Sequence, residues 1–140
     1  MGNINIGRVV LGGLLAGLVL NIGEVVVNDV VIGAQWKEFL ARHNFAEPTS
    51  TFIVIAVSLT FLTGIVLVLG YACIRTRLGP GPKTAIIAGL FGWFGVYFYS
   101  GIINGVIFGT PVGTMATVVV VGLVEYVLAA LAGAFIYKEA

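Results

Sequence analysis

Charge is the scarcest property of this sequence. Seven basic and six acidic side chains make up 9% of its 140 residues, against 59% hydrophobic residues, and mean hydropathy is +1.11. Soluble domains carry about a quarter charged residues, so a soluble fold is excluded. A net charge of +1 also leaves no electrostatic footprint for a nucleic acid. Histidine occurs once, at His43, and cysteine once, at Cys73. These counts exclude a bis-histidine haem, a histidine-rich metal centre and an internal disulfide within one chain. Cys73 stands near Arg75, where lipidation has a precedent, but a buried free thiol is the expectation. There is no nucleophile beside a base, no phosphate-cradling glycine loop and no Cys-x-x-Cys, so no enzymatic activity, cofactor or metal centre is expected.

What the sequence does hold is four long apolar runs, at about 9–34, 52–74, 84–109 and 112–137. Each would be about 35–40 Å long as a helix, enough to cross a hydrocarbon layer of about 30 Å. Transmembrane strands would alternate apolar and polar over about ten residues, and these runs do not. The expected fold is therefore an all-α membrane protein, a four-helix transmembrane bundle in a single domain over 1–140. The twenty glycines read as packing surface, because small residues let membrane helices approach closely. The first run is longer than a signal-peptide core of about 7–15 residues and contains Glu24, so it is expected to be retained as a span.

The basic residues are distributed unevenly. Arg8, Arg75, Arg77, Lys83 and Lys138 flank the runs on one side, while the other side has Lys37 and Arg42, offset by Glu38 and Glu47. The positive-inside rule then places both termini in the cytoplasm and argues against dual insertion. In the first external connection Trp36, Phe39, Leu40 and His43 follow helical spacing opposite Lys37, Glu38 and Arg42, which predicts a short interfacial helix. Thr49 or Ser50 can cap the second span, Thr110 can cap the fourth with Pro111 in its first turn, and GPGPK makes a turn. An offset of 76 residues aligns Gly13 with Gly89, Leu14 with Leu90, Asn28 with Asn104, Val30 with Val106 and Gly33 with Gly109. Two repeated helical hairpins, related by an axis along the membrane normal, are one way to read it.

Polar side chains interrupt the hydrocarbon at one level. Counting from the flanking basic residues puts Glu24 about 24 Å deep, Glu125 about 20 Å, Ser100 about 25 Å, and Thr60 and Thr63 about 18–22 Å. Gly13, Gly17, Asn21, Glu24 and Asn28 form one stripe on the first helix, and Trp93, Tyr97, Ser100 and Asn104 form another on the third. A charged carboxylate near the bilayer centre costs about 2.5–3.5 kcal/mol, so Glu24 and Glu125 are expected to be paired, protonated or hydrated. No basic residue lies at their depth. The available partners are Asn21, Asn28, Asn104, Ser100, Thr63, Tyr97, Tyr126 and the acids themselves. Asp29 lies nearer the external surface and reads as solvated.

The opening GRVVLGGLLAGLVLNIGE resembles small four-span bacterial membrane proteins, which implies a bacterial inner membrane. Small multidrug exporters also carry a glutamate in their first span, but their aromatic pattern and weak charge bias are missing, so none of their residues is carried over. Two functions fit. In the first, Glu24 and Glu125, oriented by Asn21, Asn28, Ser100 and Asn104, bind a proton, a cation or a small polar solute for transport or permeation by a homo-oligomer in the lipid bilayer. In the second, the chain is a non-catalytic subunit of a larger membrane complex, docking through its glycine-rich faces with the polar layer as glue.

Overall fold

The computed structural model describes residues 3–138. Within them the chain is helical, with four helices long and apolar enough to cross a membrane: α1 (Ile6–Val31), α3 (Ser50–Leu78), α4 (Pro82–Ile107) and α5 (Val112–Ile136). The amphipathic helix α2 (Gly33–Arg42) lies between the first two. The first span stops three residues earlier than its hydropathy suggests. The Ile32 N–H closes a last wide turn on the Val27 carbonyl, the backbone bends at Ile32, and Gly33 already belongs to α2.

Local chemistry sets most helix boundaries. The Asn5 side chain accepts the Arg8 N–H at 3.1 Å, and Thr49 accepts the Phe52 N–H at 3.2 Å, so each satisfies a donor that the first helical turn leaves over. Between α3 and α4, Gly79 and Gly81 take φ of 82° and 129°, where a side chain would strain the backbone, and Pro82 opens α4. The fourth span starts differently from the expected cap. Pro111 precedes the helix in an extended conformation, and the Thr110 N–H turns back to the Gly105 carbonyl at 2.8 Å. In α2, Leu40 is buried while Lys37, Glu38 and Arg42 are exposed, as its amphipathic spacing predicts. Its Arg42–Glu38 ion pair at 2.8 Å is a surface contact of little energetic weight.

Helix α1 packs against α3 on one side and α5 on the other, and α5 also packs on α4. Two different glycine rows on α1 allow this. Gly13 and Gly17 face α3, where a methyl on Gly17 would lie 2.7 Å from the Phe61 Cα and a methyl on Gly64 would overlap the backbone of Gly13 and Gly17. Gly12 and Gly23 face α5, meeting Gly133 and Glu125. The buried centre is built from Ala16, Leu20, Leu67, Val68, Ala129 and neighbouring side chains. Cys73, expected inside, is exposed on the outer face of α3; Ala72 and Tyr71 occupy the inward positions beside it.

Because lipid offers no hydrophobic drive for helices to associate, contact at α1–α3 depends on how closely the backbones can approach. Gly64→Ala should destabilise the purified protein in detergent by about 1–3 kcal/mol. Gly70→Ala on the same helix, where a methyl meets nothing within 4 Å, should leave it unchanged or slightly stabilised. Thermal melts of the two variants check this.

Candidate functional site

Two of the long helices contain a segment wound more loosely than an α-helix: Val26–Val31 in α1 and Phe94–Tyr99 in α4 are π-helical. Such wide turns recur at functional sites and rotate the helix beyond them relative to the helix before. Here they sit beside the acids. Glu24 lies two residues before the first, Asn28 lies within it, and Tyr97 lies within the second.

These residues converge with Glu125 of α5. The Tyr97 hydroxyl oxygen is 2.8 Å from Glu24 Oε1 and 3.2 Å from Glu125 Oε2. Asn28 Nδ2 donates to Glu24 Oε2 at 3.1 Å and to the Glu24 backbone carbonyl at 2.8 Å, which holds the Glu24 side chain in place. Glu125 and Tyr97 are 6% and 7% exposed, whereas Glu24 is half-buried. Glu125 Oε1 is buried without a hydrogen-bond partner. Glycines make the convergence possible. Gly122 leaves room for the Tyr97 ring to lie against α5, Gly92 does the same for Tyr126, and a methyl on Gly23 would stand 2.6 Å from the Glu125 carboxyl carbon. The Tyr97 and Tyr126 rings meet nearly edge to face, 5.7 Å apart, which fixes the ring that carries the bridging hydroxyl.

Of the six residues singled out in the sequence, Glu24, Glu125 and Asn28 come together. The other three turn back to their own helices. Asn21 Nδ2 donates to the Gly17 carbonyl at 2.8 Å. The Ser100 hydroxyl donates to the Gly95 carbonyl at 3.0 Å. Asn104 Nδ2 donates to the Ser100 carbonyl at 2.8 Å, and Asn104 borders a separate cleft of about 440 Å³ between α2, the C-terminal end of α4 and the N-terminal end of α5, walled by Trp36, Phe39, Phe108 and Met115. Thr60 and Thr63 also bond their own backbone, at 2.9 Å each. Helix α4 thus joins the acid level through Tyr97, and α3 sends no side chain there among the described residues.

Tyr97 was recognisable as one partner among several but not as the bridge. Its depth, 14 residues beyond Lys83 or about 21 Å, lies between those of the two acids, whereas that of Ser100 lies beyond both. The signal was hidden because the stripe through Trp93, Tyr97, Ser100 and Asn104 assumes regular α-helical spacing. Gly23, Gly92 and Gly122 carry no chemistry of their own, and nothing in the sequence marks them as seats for the polar side chains.

Comparison with known proteins finds no matching family model, no matching curated protein and no matching solved structure. The geometry alone therefore carries the chemical argument. A phenol has one hydrogen and stands between two carboxyl groups. If both acids were ionised, one carboxylate would face an oxygen lone pair with no hydrogen between. The arrangement is satisfied when one acid is protonated and donates to the phenol oxygen while the phenol donates to the other.

Removing the bridge should therefore cost more than losing one ordinary contact. Tyr97→Phe leaves the buried Glu125 carboxyl and the half-buried Glu24 carboxyl facing each other with no hydroxyl between them, and should lower stability in detergent by about 1–3 kcal/mol. Tyr126→Phe, which removes a hydroxyl that makes no hydrogen bond among the described residues, should change it less. Denaturant titration of both variants measures the difference.

Proposed function

We propose that this protein is a small polytopic membrane protein whose intramembrane acid pair binds an exchangeable proton, and that it acts in transport or permeation as a homo-oligomer. The observation that carries this reading is the single phenol hydrogen between Glu24 and Glu125. Three oxygens from three helices are spaced for a hydrogen to lie between successive pairs. Rotating the phenol O–H and moving the acid proton from one carboxyl to the other exchanges donor and acceptor while conserving every atom. Glu24, half-buried and held by Asn28, is the outer end of this chain, and Glu125 is the enclosed end. Asn28 orients the site; Asn21, Ser100 and Asn104 support the helix backbones.

The setting is a lipid bilayer, with a bacterial inner membrane as the proposed location and both termini cytoplasmic. Orientation rests on the basic residues Arg8, Arg75, Arg77, Lys83 and Lys138 at one end of the helices. Helix α2 then lies at the external interface with its charged side chains toward water. The two hairpins are read as a repeat, and their aligned asparagines support it: Asn28 and Asn104 each donate to the carbonyl four residues back, both at 2.8 Å. The wide turns do not coincide in that alignment, so the hairpins have diverged in the helices that carry the site.

The test is proton flux into liposomes containing the purified protein, followed with an internal pH dye. Wild type should dissipate an imposed pH gradient. Glu24→Gln keeps hydrogen-bonding capacity but cannot titrate, so its flux should fall to that of protein-free liposomes while the folded yield is retained. Unchanged flux in a folded Glu24→Gln protein overturns the reading. Stoichiometric co-purification with unrelated chains from native membranes would instead favour an accessory subunit of a larger complex.

A further inference from the structure

The cleft of about 440 Å³ beside α2 takes no part in the acid pair, and its lining differs in kind from that site. Trp36 and Phe39 of α2 form one wall, Phe108 stands just past the end of α4, and Met115 and Val118 of α5 form the opposite wall. The aromatic wall is built as a unit. The Trp36 and Phe39 rings stack with centres 5.5 Å apart, and Phe39 meets Phe108 edge to face at 5.7 Å, which ties α2 to the end of α4. Two glycines of α4 shape the floor in opposite ways. A methyl on Gly105 would overlap the Met115 sulfur, so there α4 and α5 are drawn together, whereas a methyl on Gly101 would meet only Val119, at 3.8 Å. Room is left beside Gly101, which lines the cleft.

The charged side chains are confined to the mouth. Glu38 and Arg42 both line the cleft, with 68% and 50% of their side chains exposed. Arg42 Nη2 donates to Glu38 Oε1 at 2.8 Å. That is one of the five N–H groups a guanidinium carries, so the others are free to meet a second acceptor. Deeper in, the Asn104 amide is committed to the Ser100 carbonyl. The cleft therefore offers apolar and aromatic surface within, and one cation beside one anion at its opening. A cavity of about 150 Å³ accommodates the six carbons of benzene. At that density a cleft of about 440 Å³ has room for roughly 17 carbons, the length of a single acyl chain.

We infer that this cleft binds one acyl chain of a zwitterionic phospholipid from the leaflet that meets α2, with the phosphate on the Arg42 guanidinium and the ammonium on the Glu38 carboxylate. A guanidinium fork matches phosphate oxygens. The adjacent carboxylate repels a headgroup that is only anionic and complements one that also carries an ammonium. The placement of α2 agrees with this, because an interfacial amphipathic helix holds its charged face at headgroup level and its apolar face at the acyl boundary. Bound in this way, the acyl chain fills the space between α2 and the ends of α4 and α5. The inference stands apart from the acid pair: Glu24, Tyr97 and Glu125 do not line this cleft.

The probe is a phosphatidylethanolamine with one brominated acyl chain, titrated into the purified, delipidated protein in detergent while tryptophan fluorescence is followed. Trp36 walls the cleft, so quenching should saturate at one lipid per chain and be lost in Trp36→Phe, which keeps Trp93 as the remaining tryptophan. Gly101→Leu fills the cleft and should weaken binding about tenfold or more. Arg42→Gln, on an exposed surface where its ion pair carries little stability, should also weaken binding about tenfold. Brominated phosphatidylglycerol and brominated fatty acid should bind wild type more weakly than the zwitterionic lipid, and Arg42→Gln should narrow that preference. Quenching that follows the lipid content of the micelles without saturating overturns the inference, as does unchanged affinity in folded Arg42→Gln. Tighter binding of the anionic lipid or of the fatty acid overturns it too, and that comparison needs no variant to fold. Glu24→Gln should bind the lipid as wild type does, so loss of proton flux in that variant and loss of lipid binding are read independently.

Discussion

One hydrogen between two carboxyl groups is the constraint on which the rest of this molecule depends. In water the arrangement would be worth little, because every oxygen could find a solvent partner. Inside a bilayer the unmade bond is the expensive state, so helices α1, α4 and α5 are held at the rotation and depth that bring Glu24, Tyr97 and Glu125 together. A shift of one residue along any of these helices, about 1.5 Å, would lengthen a hydrogen bond beyond use. The polar triad therefore specifies a packing that apolar contacts alone would leave loosely determined.

Glycine makes the triad reachable. The rows on α1 divide the work: Gly13 and Gly17 admit α3, while Gly12 and Gly23 admit α5. On α5, Gly122 takes the Tyr97 ring against the helix backbone, and on α4, Gly92 receives Tyr126. Each is a place where a methyl group would separate the helices or displace an aromatic ring, and each lies within a few residues of the polar cluster or on the contact that carries it. Close approach and polar satisfaction are consequently the same structural event seen from two sides.

The wide turns connect this packing to chemistry. A π-helical segment loosens the backbone and re-aims the side chains after it, and the two segments here follow Glu24 on α1 and carry the phenol on α4. Asn28 uses its place in the first to hold both the carboxyl and the carbonyl of Glu24. Ser100 closes on the Gly95 carbonyl at the end of the second. Side chains that pure periodicity would send into the site are in this way spent on stabilising the irregular backbone that Tyr97 requires.

Much of the architecture was legible in the chain itself, because hydropathy over twenty residues is a large, additive signal and the flanking turn chemistry of Thr49, Gly79 and Gly81 is local. The common depth of Glu24 and Glu125 was legible too, since helical rise converts residue number into distance. Which side chains meet at that depth was decided only by the tertiary structure. Rotation about a helix axis depends on the π-helical turns and on contacts between helices distant in sequence, so Asn21, Ser100 and Asn104 turned back to their own backbones and Tyr97 took the central place. A lone glycine reads the same at a smooth surface, as Gly70 does, as at the seat of a buried carboxyl, as Gly23 does, and only the neighbour across the interface tells them apart.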